Sequence, residues 1–229
     1  MGLLGAKMEI PVKPWQRPSA AVLALHARAR RLRELVEMQT AVKNRQRAAG
    51  LSTAIRAVVR RDLARSLRAQ ERAIQRLTQQ SRKLIAQDPQ LTERFELLDS
   101  VPGIGETSAV QLLGVWGVLA PDLDVRQWVA YAGLDPREYT SGTSGHKKPR
   151  ISKAGNKHRR HAFCMPALVA VLHDPHWRAF SQHLVTKGKV KMQALVAVMR
   201  KLLHAIHAMF KSHQPYDGSK VFRLIPAPA

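Results

Sequence analysis

LLDSVPGIGETSAVQLLGVWG, residues 97 to 117, decides how the rest of the chain is read. An apolar run reaches Val101, breaks at Pro102 and at the glycines Gly103 and Gly105 on either side of Ile104, then resumes with Val110, Leu112 and Leu113. Proline and glycine stop one helix and let the chain turn, and the leucine face opens the next. The stretch predicts helix, tight turn, helix, with Ile104 packed between the two.

Upstream, Ser19 is placed to cap a helix starting at Ala20. Val22, Leu25, Ala29, Leu32, Val36 and Gln39 then recur every three or four residues as a coiled-coil seam, and Arg28, Arg30, Arg31, Arg33, Lys43, Arg45 and Arg47 lie mostly off it. Gly50 interrupts, and Ser52 and Thr53 are placed to restart the helix. A second helix over roughly 53 to 87 keeps the rhythm with Leu63, Leu67, Gln70, Ile74, Leu77, Ser81 and Leu84, until Asp88-Pro89 ends it. Two long helices and a short break predict an antiparallel helical hairpin over residues 19–90, with Gln70 and Ser81 setting the register. Residues 1–18, with Pro11, Pro14 and Pro18, read as an extended linker.

Downstream, residues 91–223 read as a compact helical domain and 224–229 as a disordered tail. Trp128, Val129 and Tyr131 form one helix face, and Gly133 to Pro136 a turn. The segment 136–156 has room for a short strand or two. A long C-terminal helix turns Leu195, Met199, Leu202, Leu203, Ile206 and Met209 inward. The fold class is mainly α.

Lys and Arg number 38 against 16 Asp and Glu in 229 residues, a formal charge of +22. A chain this basic suits a polyanion, because each phosphate contact releases counterions. Aromatic residues are 5% of the chain, which argues against base stacking as the main binding mode. No apolar run approaches the ~20 residues that span a bilayer, and the N-terminus fits neither a signal peptide nor a myristoylation signal, since residue 6 is Ala. The lone Cys164 cannot form an internal disulfide or a cysteine zinc site; it reads as a small buried residue in a reducing compartment. His204 and His207 sit three apart without a carboxylate or cysteine on their face, so no metal site is assigned. His173 and His176 read as turn residues, and Asp122 and Asp124 as helix caps.

The densest chemistry is YTSGTSGHKKPRISKAGNKHRRH, residues 139 to 161. Ser141 and Ser144 each precede a glycine, and Lys147, Lys148, Arg150, Lys153, Lys157, Arg159 and Arg160 follow. Taken alone, the serines are ordinary loop residues and the cations solvated charges or general phosphate contacts. As a set they fit an attack on a phosphodiester: serine is a weak nucleophile that needs activation, and cations stabilise charge building on phosphate oxygens. Gly103, Ile104 and Gly105 resemble a helix-hairpin-helix turn, whose backbone amides hold a DNA phosphate without reading sequence.

The ordered landmarks PWQRPS, LVEMQTAVKNR, VPGIGETSA, YAGLDPREYTSG, ISKAGNKHRRHAF and KMQALVAVMRKLLHAIHAMFKSHQPYD together resemble the C-terminal half of the insertion-sequence 110 transposases, bridge-RNA-guided serine recombinases. The resemblance spans residues 12 to 223. It implies that Ser141, rather than Ser144, attacks DNA and forms a phosphoserine intermediate. It implies DNA and a guide RNA as partners, together with a second copy or a full-length transposase. It also implies an N-terminal RNase-H-like (RuvC-type) domain whose four acidic residues hold divalent metal such as Mg. This sequence opens where that domain would end, so the expectation is a fragment with no cofactor site, inactive alone, in the cytoplasm with the nucleoid. The competing expectation is a non-catalytic module for nucleic-acid binding and oligomerisation.

Overall fold

Ser19 caps the first helix, α1 (Ala20–Leu51), its hydroxyl accepting from the Val22 amide at 3.3 Å. The computed structural model describes residues 17–51, 57–120, 122–141 and 145–224, with the backbone alone at 51 and over 138–141 and 145–149. The linker reading of residues 1–16, the restart at Ser52 and Thr53, Ser144, and the tail from 225 lie outside the described residues. Gly50 does not interrupt α1. It sits in the last turn of an unbroken helix, which tolerates one glycine at ~1 kcal/mol.

The second helix, α2 (Ala57–Ile85), returns antiparallel to the first: Arg28 near the start of α1 donates to the Gln80 carbonyl near the end of α2, at 2.7 Å. Along α1 the buried residues are Leu25, Ala29, Leu32, Leu35, Val42 and Ala49. Leu35 replaces the expected Val36, and Gln39 is only half-buried. The buried face turns because the first half of α1 packs on two neighbours and the far half follows α2. Gln70 and Ser81 are buried on α2 as expected. Ser81 does not set register, however, since its hydroxyl donates to Leu77 of its own helix at 2.7 Å.

Asp88 and Pro89 open α3 (Pro89–Asp99), the aspartate accepting from the Gln90 and Leu91 amides. The predicted turn follows, and Gly105 caps α4 (Glu106–Trp116). Ala109, Val110 and every residue from Leu112 to Trp116 are buried. A helix end apolar on all sides belongs in the middle, and α1, α2, α3 and α6 pack against α4. Gly114 makes the α1 contact possible. A Cβ there would lie 2.4 Å from the Ala29 Cβ and 2.7 Å from the Leu25 carbonyl. The His26 Nδ1 closes the same contact against the Gly114 carbonyl at 2.8 Å.

Asp124 and Gln127 make a reciprocal capping box on α5 (Val125–Ala132), which stacks Trp128 on Trp116 with ring centroids 4.5 Å apart. A two-stranded antiparallel hairpin, β1 (Pro136–Ser141) and β2 (Gly145–Ile151), comes next. Then come α6 (Lys157–Ala162), α7 (Cys164–His173), α8 (Pro175–Thr186), α9 (Lys191–Ser212) and α10 (Gly218–Val221). His173 ends α7 and His176 starts α8, so both are helical rather than turn residues; Asp174 between them is the buried α8 cap. Cys164 is half-buried at the edge of the core. The inward residues of α9 are as expected, with Leu195 only partly buried. Leu25, Ala29, Leu32 and Ile85 belong to the same core as Leu98, Val110, Trp177 and Leu203, so the near end of the helical hairpin is built into the body.

Candidate nucleic-acid interface

The serine segment is a β-hairpin carried at the end of α5. Pro136 pairs with Ile151 at its base, and Ser141 with Gly145 at its far end. At ~3.3 Å per residue the strand sets Ser141 about 17 Å out from the base. Pairing slips between Arg137 and Tyr139, a local irregularity that adds twist.

What fixes the base is backbone contact with α5. Gly133 ends that helix in the left-handed conformation, φ 63°, which favours glycine. The Asn156 amide donates to the Tyr131 carbonyl at 2.8 Å and the Lys153 amide to the Gly133 carbonyl at 3.2 Å. Ser152 reaches back twice to Asp135, hydroxyl to carboxylate at 2.6 Å and amide to carbonyl at 2.8 Å. The segment after β2 is thereby laced to the segment before β1, and the hairpin projects from a fixed collar.

The predicted cations divide into two kinds. Arg150, Lys153 and Lys157 are exposed near the collar, and Lys153 adopts a positive φ of 54°. Arg150 faces Arg137 across the strands, concentrating positive charge there. Lys147 and Lys148 lie on β2, and their side chains are outside the described residues. Arg159 and Arg160 are turned to the body instead. Arg159 is half-buried between Trp116 and Tyr131, 5.8 and 5.3 Å from the ring centroids, and its Nε donates to the Val115 carbonyl at 3.4 Å. Burial lowers its pKa. Arg160 donates to the Ala132 carbonyl at 3.1 Å, closing the end of α5. Of the face formed by Trp128, Val129 and Tyr131, the first two are buried, whereas Tyr131 is 44% exposed and covered on one side by Arg159.

The glycine turn is also divided. Ile104 is buried, as its place between two helices requires. Gly103 has φ 100°, and a Cβ on it would come within 2.6 Å of the Ala170 amide and 2.7 Å of the Pro166 carbonyl. Its missing side chain therefore admits α7, not a ligand. Gly105 is exposed, a Cβ on it would meet nothing within 4 Å, and it opens α4 to solvent.

Beside the collar, α6 packs on α4, α5 and α7 and comes near Arg33 and Glu37 of α1. The Arg33 guanidinium donates to Glu37 at 2.7 and 2.8 Å, and this hydrogen bond holds the Glu37 carboxyl below the usual range. His158 and His161 lie against the same pair. Burial first, then the nearby Arg33, pushes both imidazoles below the ordinary 6.5. His207 is buried, its Nε2 3.0 Å from the Leu123 carbonyl, and burial lowers the pKa of His204. Among the described residues no three His, Cys, Asp or Glu converge on a point where a metal would sit. No helix of the described residues is long and apolar enough to cross a membrane.

The chain is thus a basic helical body presenting a β-hairpin with a serine at its far end. Residues 95–182, from the last turns of α3 into α8, match the family described as Transposase IS116/IS110/IS902 family. Over 214 residues it is 33% identical to the pilin gene-inverting proteins of Moraxella lacunata and Moraxella bovis, covering 93% of this chain and 64% of each relative. An uncharacterized 43.6 kDa protein of insertion element IS110 from Streptomyces coelicolor is 30% identical over 143 residues, 61% of this chain and 35% of its own length. The chain thus spans less than two-thirds of the curated relatives it matches.

Proposed function

We propose that the chain is part of a DNA recombinase in which Ser141 attacks a DNA phosphodiester. The Ser141 oxygen bonds to phosphorus, its proton passes to a base, and the displaced sugar oxygen leaves and is reprotonated. One phosphodiester is exchanged for another, so a later attack by a sugar hydroxyl releases the serine and rejoins DNA without an external energy source. The observation that carries this reading is the position of Ser141 at the far end of a hairpin whose base is laced by Asp135, Ser152, Gly133 and Gly155. The matched transposase region includes that hairpin, and relatives over nearly the whole chain are named for inverting a pilin gene.

Among the described residues, Arg150, Lys153 and Lys157 are exposed cations near enough along the chain to meet the phosphate backbone. Arg159 and Arg160 act indirectly by holding the collar. The exposed amide end at Gly105 is a further backbone contact in this reading. In this reading a divalent metal, a guide RNA and a second or full-length transposase subunit complete the reaction.

The test is a covalent adduct. The chain, alone and with a full-length transposase, is mixed with donor DNA and run on a denaturing gel. The expected result is an adduct that Ser141→Ala abolishes and Ser144→Ala keeps, with DNA affinity changed less than twofold by either. Absence of any adduct in the presence of the full-length partner would leave the chain a binding and oligomerisation module.

A further inference from the structure

Five arginines of α2, Arg61, Arg65, Arg68, Arg72 and Arg76, follow one another at steps of four, three, four and four residues. Such steps each return close to the same side of a helix, so the five form one straight row. Lys83 continues it, seven residues on. All six are exposed. The buried residues of α2, Gln70, Thr78, Ser81 and Ile85, lie on the side facing α1 and α4, about half a turn around the axis from the row. From Arg61 to Lys83 the row runs ~33 Å at 1.5 Å per residue.

Other arginines of the helices are neutralised by carboxylates. Arg31 pairs with Glu34 at 2.9 Å, Arg33 with Glu37 at 2.7 Å and Arg82 with Glu106 at 3.3 Å. None of the five row arginines has an ion pair or hydrogen bond to a side chain among the described residues. The carboxylates of α2, Asp62 and Glu71, fall on its flanks, not in the row. The row also contributes nothing to the hairpin seam, which is on the other side. A helix gains little from five like charges three and four apart, which repel one another by a few tenths of a kcal/mol per pair. Arginine in every one of these places is the residue whose planar fork grips phosphate oxygens in pairs.

We propose that this row is a docking rail for the phosphate backbone of a DNA duplex. Its ~33 Å is close to one turn of B-form DNA, ~34 Å, so a DNA duplex lying along α2 brings backbone phosphates against both ends of the row. Contacts of this kind position a duplex without reading its bases. The rail is separate from the serine hairpin and stands or falls on binding, whatever becomes of the reaction proposed for Ser141.

The experiment measures affinity of the whole chain for fluorescent DNA and RNA duplexes of about three helical turns across a salt series. Arg61, Arg65, Arg68, Arg72 and Arg76 are changed together to Gln, which keeps helix propensity. A control removes as much charge elsewhere, with Lys187, Lys189, Lys191, Lys220 and Arg223 changed to Gln. Each lost phosphate contact lowers the slope of log K against log salt by ~0.9. The rail predicts a slope smaller by ~3 to 5 and an affinity more than tenfold weaker for the row variant, on unrelated sequences alike, with the control changed less than threefold. A loss confined to the RNA duplex would overturn the assignment to DNA. Equal losses in row variant and control, or no loss with either duplex, would overturn the proposal. Circular dichroism checks folding, and the triple variant R65Q/R68Q/R72Q, expected to lose ~2 to 3 in slope, replaces the quintuple one if that unfolds.

Discussion

Gly155 lies against Gly133 so closely that neither position has room for a side chain. A Cβ on Gly155 would fall 2.4 Å from the Gly133 amide nitrogen and 2.4 Å from the Ala130 and Tyr131 carbonyls; one on Gly133 would fall 2.8 Å from the Gly155 nitrogen. The whole serine hairpin is suspended from this backbone-on-backbone contact, so its direction depends on two residues that carry no chemistry themselves.

Gly155→Ala must therefore push the collar apart, since all three obstacles are backbone. Overpacking of this kind costs ~1 to 3 kcal/mol. Urea denaturation should show a midpoint lowered accordingly, and Gly188→Ala, where a Cβ meets nothing within 4 Å, provides a contrast limited to the strain of its φ of 81°.

The Asp135 carboxylate acts on the hairpin through Ser152, so it is a positioning residue for the proposed nucleophile. Asp135→Ala is expected to slow adduct formation by an order of magnitude or more while duplex affinity changes less than twofold. Asp135→Asn still accepts the Ser152 hydroxyl and should restore most of the rate. Equal rates in the alanine and asparagine variants would show that the bond has no positioning role.

Arg159 and Lys153 stand six residues apart in the same basic run but differ in what they touch. Arg159→Ala removes contacts to Trp116 and Tyr131 and a bond to Val115, and should destabilise by ~1 to 3 kcal/mol. Lys153→Ala, exposed, should change stability by less than ~0.5 kcal/mol and instead reduce the salt slope of DNA binding by ~0.9. Thermal unfolding and a salt titration of both variants separate the two roles.

His158 and His161 have pKa values below the ordinary 6.5 because burial and the nearby Arg33 disfavour their charged forms. The unfolded chain then binds more protons than the folded one as pH falls below about 6.5, so their contribution is present above that pH and is lost toward the lower folded values. Glu37 opposes the shift but does not reverse it, and Arg30, Lys157 and Arg160 add to it. The unfolding temperature should drop between pH 7.5 and 5. The double variant H158Q/H161Q should show a shallower drop, with His204 supplying part of what remains.

Much of this protein was legible along the chain. Val101, Pro102, Gly103 and Gly105 announced the turn between α3 and α4, and the three-and-four spacing of leucines announced the long helices, because both signals are local: φ preferences and side-chain periodicity act within a turn or two. The a/d reading placed Leu25, Ala29 and Leu32 correctly and slipped at Val36, where burial depends on which neighbour a helix meets.

What the sequence by itself determined is a mainly helical, strongly basic chain, with a serine-bearing segment between helices and arginines on outer faces. Tertiary structure alone decided which glycines meet other backbones, at Gly103, Gly114, Gly133 and Gly155, and which cations stay free. Arg159 and Arg160 look the same as Lys153 and Lys157 in a string of letters. They are separated by whether a carbonyl or an aromatic ring from 28 or more residues away comes within reach, and periodicity carries no information about contacts over that distance.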